Sequence, residues 1–147
     1  MTGSAKRERI GARRAALQAL YQWQLAGQEP GDIVREFVSD RELIRVDREY
    51  FREITCGVAN NFQSLHDELV TVIDREWERL DPVERAALLI GVWELANRPE
   101  VPWRVVVNEA VELAKMFGAE DGHKFINGSL DQLARRLRAQ EIQAAAG

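Results

Sequence analysis

The sequence predicts an all-α fold, and three observations support that prediction. Apolar residues recur at three- and four-residue intervals along most of the 147 residues, which is the period of a helix with one buried face. Helix-start residues precede several of these segments, and glycine or proline follows them. No segment shows the alternating pattern of a strand that has a partner, since even the valine run at 105–107 leads into helical period. We therefore expect a compact bundle of about seven helices.

Four helical segments are predicted in the first half of the chain, at residues 7–26, at 32–39, from 47 onward and at 64–77. Asp47 is expected to cap the third segment, because Val46 before it and Phe51 after it have the spacing of a hydrophobic staple. Ser64 is a candidate cap for the fourth. A continuous apolar stripe leaves open whether the third and fourth segments are one helix.

Three further helices are predicted at residues 81–97, 103–117 and 122–138, before a tail at 139–147 that is expected to fray. The first has the strongest start, because Asp81 can cap it, Pro82 suits the first helical position and Glu84 can reach back. Apolar residues cover most of its circumference, so we expect it to be the most buried helix. Gly118 is expected to end the next helix, because glycine tolerates a left-handed backbone.

The composition is typical of a globular protein, with 46% hydrophobic and 30% charged residues. The chain has no long apolar run, and no apolar stretch follows its charged N-terminus. It therefore predicts neither a membrane span nor a secretory signal. The single cysteine, Cys56, can form no internal disulfide, which agrees with a reducing cytoplasm.

Charge is distributed unevenly along the chain. The net charge of −4 argues by itself against a general nucleic-acid binder. Residues 1–14, however, carry five basic side chains and one acidic one, a charge of +4 that leaves −8 for the remainder. The five basic residues, the basic arm below, are Lys6, Arg7, Arg9, Arg13 and Arg14. A basic arm on an acidic body is typical of nucleic-acid-binding proteins, although a solvated helix start explains the charge equally well.

The sequence offers little for catalysis or for metal binding. It has two histidines and no CxxC, HExxH or glycine-rich phosphate loop. Cys56 has no histidine nearby in the sequence and is better explained as a small core residue than as a nucleophile. Glu109 and Glu112 lie one turn apart, but the Glu-x-x-His spacing of helical iron sites is missing. We therefore predict a protein that is not an enzyme and that uses no cofactor or metal.

The remaining candidate for function is a surface for RNA. Arginines of the basic arm share helix faces and can neutralise phosphates. In a polar corner near residue 122, Phe125 can stack on an unpaired base, Lys124 can meet a phosphate, and Asp121 can cap the helix or accept hydrogen bonds from a base edge. The residues alone favour a core position for Phe125. For Tyr21 the sequence leaves two positions open, one packed in the protein and one in polar contact at the surface.

The chain resembles the NusB family of bacterial transcription antitermination factors in five segments that come in the family's order. They are ARRAALQALYQWQL (12–25), DREYFREITCGV (47–58), LDPVERAALLIGVWEL (80–95), VPWRVVVNEA (101–110) and NEAVELAKMFGAEDGHKFINGSLD (108–131). The resemblance covers almost the whole chain. It implies a single RNA-binding domain over residues 1–147, made of two small helical subdomains at about 1–79 and 80–147.

The resemblance also implies a function. Proteins like NusB bind a short single-stranded boxA RNA together with ribosomal protein NusE, and the pair helps RNA polymerase and other Nus factors to transcribe rRNA operons processively. The RNA contacts that it implies are the basic arm, Tyr21, Asp121, Lys124 and Phe125. Glu84 is implied in contact with NusE. Gly122 stands where serine is familiar in the family, so this corner lacks a hydroxyl.

Two other functions fit parts of the sequence. A NusB-like domain precedes the catalytic domain in one group of rRNA methyltransferases, so the alternative is a stand-alone RNA-binding module of that kind. The 147 residues leave no room for a cofactor-binding α/β domain. A helix-turn-helix protein for duplex DNA would use Lys124, Arg135, Arg136 and Arg138 of the last helix, but its basic residues cluster at the far end, in an otherwise acidic body.

Overall fold

Helices account for every regular element in the part of the chain that the structure, a computed structural model, describes, namely residues 3–40 and 43–146. The α-helices are α1 (Gly3–Ala26), α2 (Pro30–Asp40), α3 (Arg48–Asn60), α4 (Phe62–Val70), α5 (Pro82–Asn97), α6 (Trp103–Met116), α7 (His123–Leu137) and α8 (Ala139–Ala146). Short 3-10 turns lie at Trp77–Arg79 and Glu120–Gly122. The all-α prediction is confirmed, with eight described α-helices instead of about seven. None of these helices is both long enough and apolar enough to cross a membrane.

The chain forms two compact units, and the division between them follows Phe62. The resemblance predicts a later division, between residues 79 and 80. In the structure, residues 63–79 group with the second unit. One contact that attaches them there is the ion pair between Glu68 of α4 and Arg136 of α7.

In the first unit, α1 packs against α2 and α3. Its core includes Leu17 of α1, Phe37 of α2 and Phe51 of α3, each at most 2% exposed. The rings of Phe37 and Phe51 lie 5.8 Å apart between centroids. Asp47 caps α3 as predicted, because its carboxylate accepts a hydrogen bond from the backbone N–H of Tyr50 at 3.0 Å.

In the second unit, α5 packs against both α6 and α7. Every residue from Ala86 to Leu95 is buried, as expected from its apolar circumference. The helix begins with the predicted capping box. The Asp81 carboxylate accepts from the N–H of Val83 at 2.7 Å, and Glu84 Oε1 accepts from the N–H of Asp81 at 3.1 Å. Together these bonds satisfy N–H groups that a helix start leaves without partners.

Two predictions about α4 are wrong. Ser64 lies inside the helix rather than at its start, and the helix ends at Val70 instead of continuing to Trp77. A run of four β-branched residues starts at Val70, and such residues lose side-chain freedom in a helix. The chain turns there, with the N–H of Val72 donating to the carbonyl of Leu69 at 3.0 Å.

The prediction of a fraying tail after α7 is also wrong, since Ala139–Ala146 form α8. The Arg138 guanidinium donates to one carboxylate oxygen of Glu141. The other carboxylate oxygen accepts from the N–H of Trp103, at the start of α6, at 2.9 Å. Glu141 therefore connects α8 to α6. These residues are far apart in the sequence, so local sequence patterns cannot predict the contact.

Candidate nucleic-acid interface

One face of α1 presents three of the predicted RNA-binding residues to solvent. Arg7, Arg14 and Tyr21 follow one another at seven-residue intervals, which is close to two helical turns, so they share a face. Both arginines are exposed, and Tyr21 is 41% exposed, which decides between the two positions predicted for it. Lys6 is exposed beside Arg7. Within the described ranges, no carboxylate forms an ion pair with either arginine of this face.

The other two residues of the basic arm point toward α3. The Arg9 guanidinium lies 4.4 Å from the centroid of the Tyr50 ring, and that of Arg13 lies 5.7 Å from it. Arg13 is only 4% exposed and Tyr50 only 1%. Cation–π contacts of this kind contribute about 0.5–2 kcal/mol. Arg9 and Arg13 thus stabilise the packing of α1 on α3, and the basic arm divides into exposed residues and packed ones.

The polar corner lies between α6 and α7. Gly118, with φ of 97°, ends α6, and the N–H of Ala119 donates to the carbonyl of Ala114 at 2.8 Å. No side chain caps the start of α7 in the described structure, so Asp121 does not serve as the cap. Asp121 and Lys124 are both exposed. The corner therefore presents one carboxylate and one ammonium group to solvent.

Phe125 is neither a core residue nor a free aromatic surface. It is half-buried, and the Arg75 guanidinium lies over its ring at 3.8 Å from the centroid. Arg75 Nε also donates to the Asp74 carboxylate at 3.1 Å. Sequence analysis missed Arg75, because nothing local relates it to a phenylalanine fifty positions later. The result is a planar cation stacked on an aromatic ring beside Lys124.

Glu84 lies at the same corner. Its carboxylate occupies the space that a Cβ at Gly122 would need, so the glycine allows the acid to approach the backbone. A groove of about 440 Å³ is lined by Arg75, Glu84, Asp121 and Gly122, among others. The structure therefore brings together the predicted partner-binding residue, one predicted RNA-binding residue and the arginine that stacks on Phe125. A serine at position 122 would displace the Glu84 carboxylate.

The arginines at the end of α7 are largely committed to contacts within the protein. Arg138 is 6% exposed, and its guanidinium donates to four backbone carbonyls and to Glu141. Arg136 pairs with Glu68. Of the four residues considered for duplex DNA, Lys124 and Arg135, at opposite ends of α7, are exposed without an ion pair to a carboxylate of the described residues. This arrangement disfavours the helix-turn-helix interpretation.

The described residues give no support to a catalytic or metal site. No group of three or more His, Cys, Asp or Glu residues in those ranges could hold a metal ion. Cys56 is half-buried rather than fully in the core. Burial raises the pKa of its thiol, although the nearby Arg52 acts in the opposite direction. A raised pKa reduces the thiolate that a nucleophile requires.

The fold and these surfaces define a class of small all-α proteins that carry an arginine-lined first helix and a cation–aromatic corner. Comparison with known families identifies the class. A model of the NusB family matches residues 11–135, most of the chain. The chain belongs to the NusB family.

Similar proteins carry the same family name. The transcription antitermination protein NusB of Alcanivorax borkumensis is 50% identical over 140 residues, which cover 95% of this chain and 91% of that protein. Its counterpart in Shewanella amazonensis is 51% identical over 129 residues, covering 88% and 96%. A crystal structure of antitermination factors NusB and NusE in complex with dsRNA aligns with a TM-score of 0.80 and 30% identity, covering 88% of this chain and 98% of that chain. T. maritima NusB aligns with a TM-score of 0.76 and 26% identity, covering 91% and 92%.

Proposed function

We propose that this protein is a transcription antitermination factor that binds single-stranded boxA-type RNA together with ribosomal protein NusE and supports processive transcription of rRNA operons. Family membership and the names of its relatives support this function over that of a methyltransferase module. The observation that carries the proposal is the exposed face of Arg7, Arg14 and Tyr21. Arginines without carboxylate partners in the described structure are available to phosphates.

Each exposed residue has a role that follows from its chemistry. Lys6, Arg7 and Arg14 neutralise phosphates, and Tyr21 contacts a base or a sugar. At the corner, Lys124 meets a phosphate and Asp121 accepts from a base edge. A base stacks on the Arg75 guanidinium, which Phe125 supports from behind. Arg9 and Arg13, which pack on Tyr50, contribute by holding α1 in place.

Glu84 is proposed to contact NusE near the RNA. One of its carboxylate oxygens accepts from the N–H of Asp81, which fixes the side chain at the start of α5. The other faces Gly122. An acid in that position suits a basic partner surface. We further propose that the predicted subdomains, about 1–79 and 80–147, act as one RNA-binding domain, and that the protein works in the cytoplasm.

Filter binding of boxA-type RNA to the full chain, with and without NusE, tests the proposal. Phe125→Ala and Lys124→Ala should both weaken binding, the first by about 1–3 kcal/mol because a stacked base loses its support. Lys115→Ala is the matched control, since Lys115 is an exposed lysine of α6 paired with Glu112. Unchanged RNA affinity of Phe125→Ala, with a large loss of thermal stability, would show that the ring serves packing alone.

Arg75→Ala separates two interpretations of the stacked guanidinium. If a base stacks on it, the variant binds RNA more weakly than the wild type. If the guanidinium instead covers Phe125 and must be displaced, the variant binds more tightly, which would contradict the role proposed here. Thermal melts of both proteins show whether the change in affinity arises from the interface or from the fold.

A further inference from the structure

A second cationic feature of the first unit joins two of the predicted RNA-binding residues to a loop that the prediction did not include. The loop before α3, residues 43–46, packs along α1 and forms a groove of about 430 Å³ with it. Among the side chains that the structure describes, three arginines line this groove: Arg7 and Arg14 from α1, and Arg45 from the loop. None of the described acidic side chains lines it. We call this feature the arginine groove.

The loop is held close to α1 by its backbone. The N–H of Asp47 donates to the carbonyl of Glu8 at 3.0 Å. A Cβ at Gly11 would lie 3.1 Å from both the carbonyl oxygen of Arg45 and a methyl group of Val46, so the loop rests on a position without a side chain. These contacts fix the distance between the loop and the helix, and they fix the groove with it.

Arg45 has an unusual backbone for its residue type. Its φ of 59° is the only positive φ among the non-glycine residues that the structure describes. This left-handed conformation is unfavourable for a residue with a Cβ, and glycine or asparagine would occupy it more easily. The arginine side chain is exposed and is paired with no carboxylate of the described residues. No ion pair within the described residues therefore offsets the cost of the conformation.

The chemistry of the groove suits a short stretch of a single-stranded chain. Each of the three guanidinium groups can neutralise one phosphate and donate hydrogen bonds to its oxygens. Ile10, Leu43 and Val46 line the groove with apolar surface, and Ile44 beside them is 69% exposed. An unpaired base that is splayed out of its stack can lie against this apolar surface beside a guanidinium plane.

We infer that the arginine groove extends the RNA-binding face of α1: Arg45, Arg7 and Arg14 each neutralise one of several neighbouring phosphates, and the apolar surface receives a base of the same stretch. This inference rests on the proposed function, and it extends the RNA path from α1 to the loop at residues 43–46. RNA is favoured over an acidic protein segment because the same two arginines belong to the exposed face of α1.

The test compares Arg45→Asn with the wild type in filter binding of boxA-type RNA over a range of salt. Asparagine removes the charge but tolerates a left-handed backbone, so the loop keeps its conformation. We expect affinity to fall several-fold at low salt. The slope of log affinity against log salt should decrease by about 0.7, the contribution of one phosphate contact on a single strand. Arg35→Gln is the control, since it removes one exposed, Asp32-paired charge from α2 and should leave binding unchanged.

Three outcomes would overturn the inference. If Arg45→Asn binds RNA as the wild type does, while an Arg7→Gln/Arg14→Gln variant binds weakly, the groove is not a site and the proposed function stands. If Arg45→Asn weakens only the binding of NusE, the groove serves a protein. If inorganic phosphate at constant ionic strength abolishes the difference between Arg45→Asn and the wild type, the groove takes free phosphate. A wild-type chain that binds no boxA-type RNA would instead overturn the proposed function itself.

Discussion

The two arginine-rich stretches of this chain, at the start of α1 and at the end of α7, use the same side chain in opposite ways. Arg138 is buried and donates to the carbonyls of Glu94, Leu95, Arg98 and Val101. Arg7 is exposed and has no carboxylate partner in the described structure. The availability of a cation for RNA therefore depends on the acceptors that the fold places around it, and counting basic residues does not reveal it.

The difference between Arg138 and Arg7 arises from the backbone groups that are left unpaired at the two kinds of helix end. The last carbonyls of a helix have no partner within it, and they carry partial negative charge. α5 ends at Asn97 inside the second unit, and Arg138 supplies donors to carbonyls at that end. Near the start of α1 the orphan groups are N–H donors, which cannot pair with arginine. Lys6, Arg7 and Arg14 are therefore left for external anions, whereas Arg9 and Arg13 pack on Tyr50.

Arg138→Met should produce the largest effect. The substitution keeps the apolar stem but leaves several buried carbonyls without donors, and each such loss costs about 1–3 kcal/mol. We expect the free energy of unfolding to fall by about 3 kcal/mol or more. Urea denaturation measures this value. A loss below about 1 kcal/mol would mean that water easily replaces the guanidinium as a donor. The contrast between a structural Arg138 and an available Arg7 would then fail.

Glu141→Ala should have an intermediate effect. The glutamate pairs with Arg138 and accepts from the N–H of Trp103, so its removal loses a helix cap together with a partly buried ion pair. Loss of a cap costs about 1 kcal/mol. Thermal denaturation of this variant beside Glu112→Ala, which removes an exposed acid paired with Lys115, tests the estimate. Equal melting temperatures for the two variants would contradict it.

Arg136→Gln should change stability little. Its pair with Glu68 is about half exposed on both sides, and exposed ion pairs contribute about 0–1 kcal/mol. We expect a change below about 0.5 kcal/mol in the same urea titration. A larger loss would show that this pair fixes residues 63–79 to α7 more firmly than its exposure indicates.

The smallest effect is expected at Cys56, where burial raises the pKa of the thiol more than the nearby Arg52 lowers it. The pKa of the thiol is raised, so little thiolate is present at neutral pH. Alkylation by iodoacetamide should be slower than for an exposed cysteine peptide and should accelerate as pH rises toward the raised pKa. Because Arg52 lowers this pKa, Arg52→Gln should slow alkylation further at any one pH. Faster alkylation of that variant would contradict the assignment.

Much of the fold could be predicted because its signals are local. Asp81, Pro82 and Glu84 lie within four residues of one another, and the capping box they form is the one the sequence predicts. Asp47 is a similar case. The end of α4 at Val70 was missed because the apolar stripe continues past it, although the β-branched run carries a signal of its own.

The site could be predicted only in part, because its remaining features depend on tertiary contacts. Arg9 and Arg13 belong to the same basic arm as Arg7, and only the position of Tyr50 shows that they are packed. Arg75 over Phe125 and the left-handed Arg45 leave no pattern in the sequence. Helical spacing does place residues on a common face, but it does not show which residues of other elements pack against that face.

The most direct test of the central claim is the salt dependence of boxA-type RNA binding for two double variants with equal loss of charge. Arg7→Gln/Arg14→Gln removes two exposed arginines that have no carboxylate partner among the described residues, and Arg35→Gln/Arg52→Gln removes two exposed arginines that are paired with Asp32 and Glu49. We predict that the slope of log affinity against log salt falls by about 1.4 for the first variant, two single-strand phosphate contacts, and stays unchanged for the second. Equal slopes for both variants, or a larger change for the variant without the paired arginines, would contradict the claim that acceptors placed by the fold decide which cations are available to RNA.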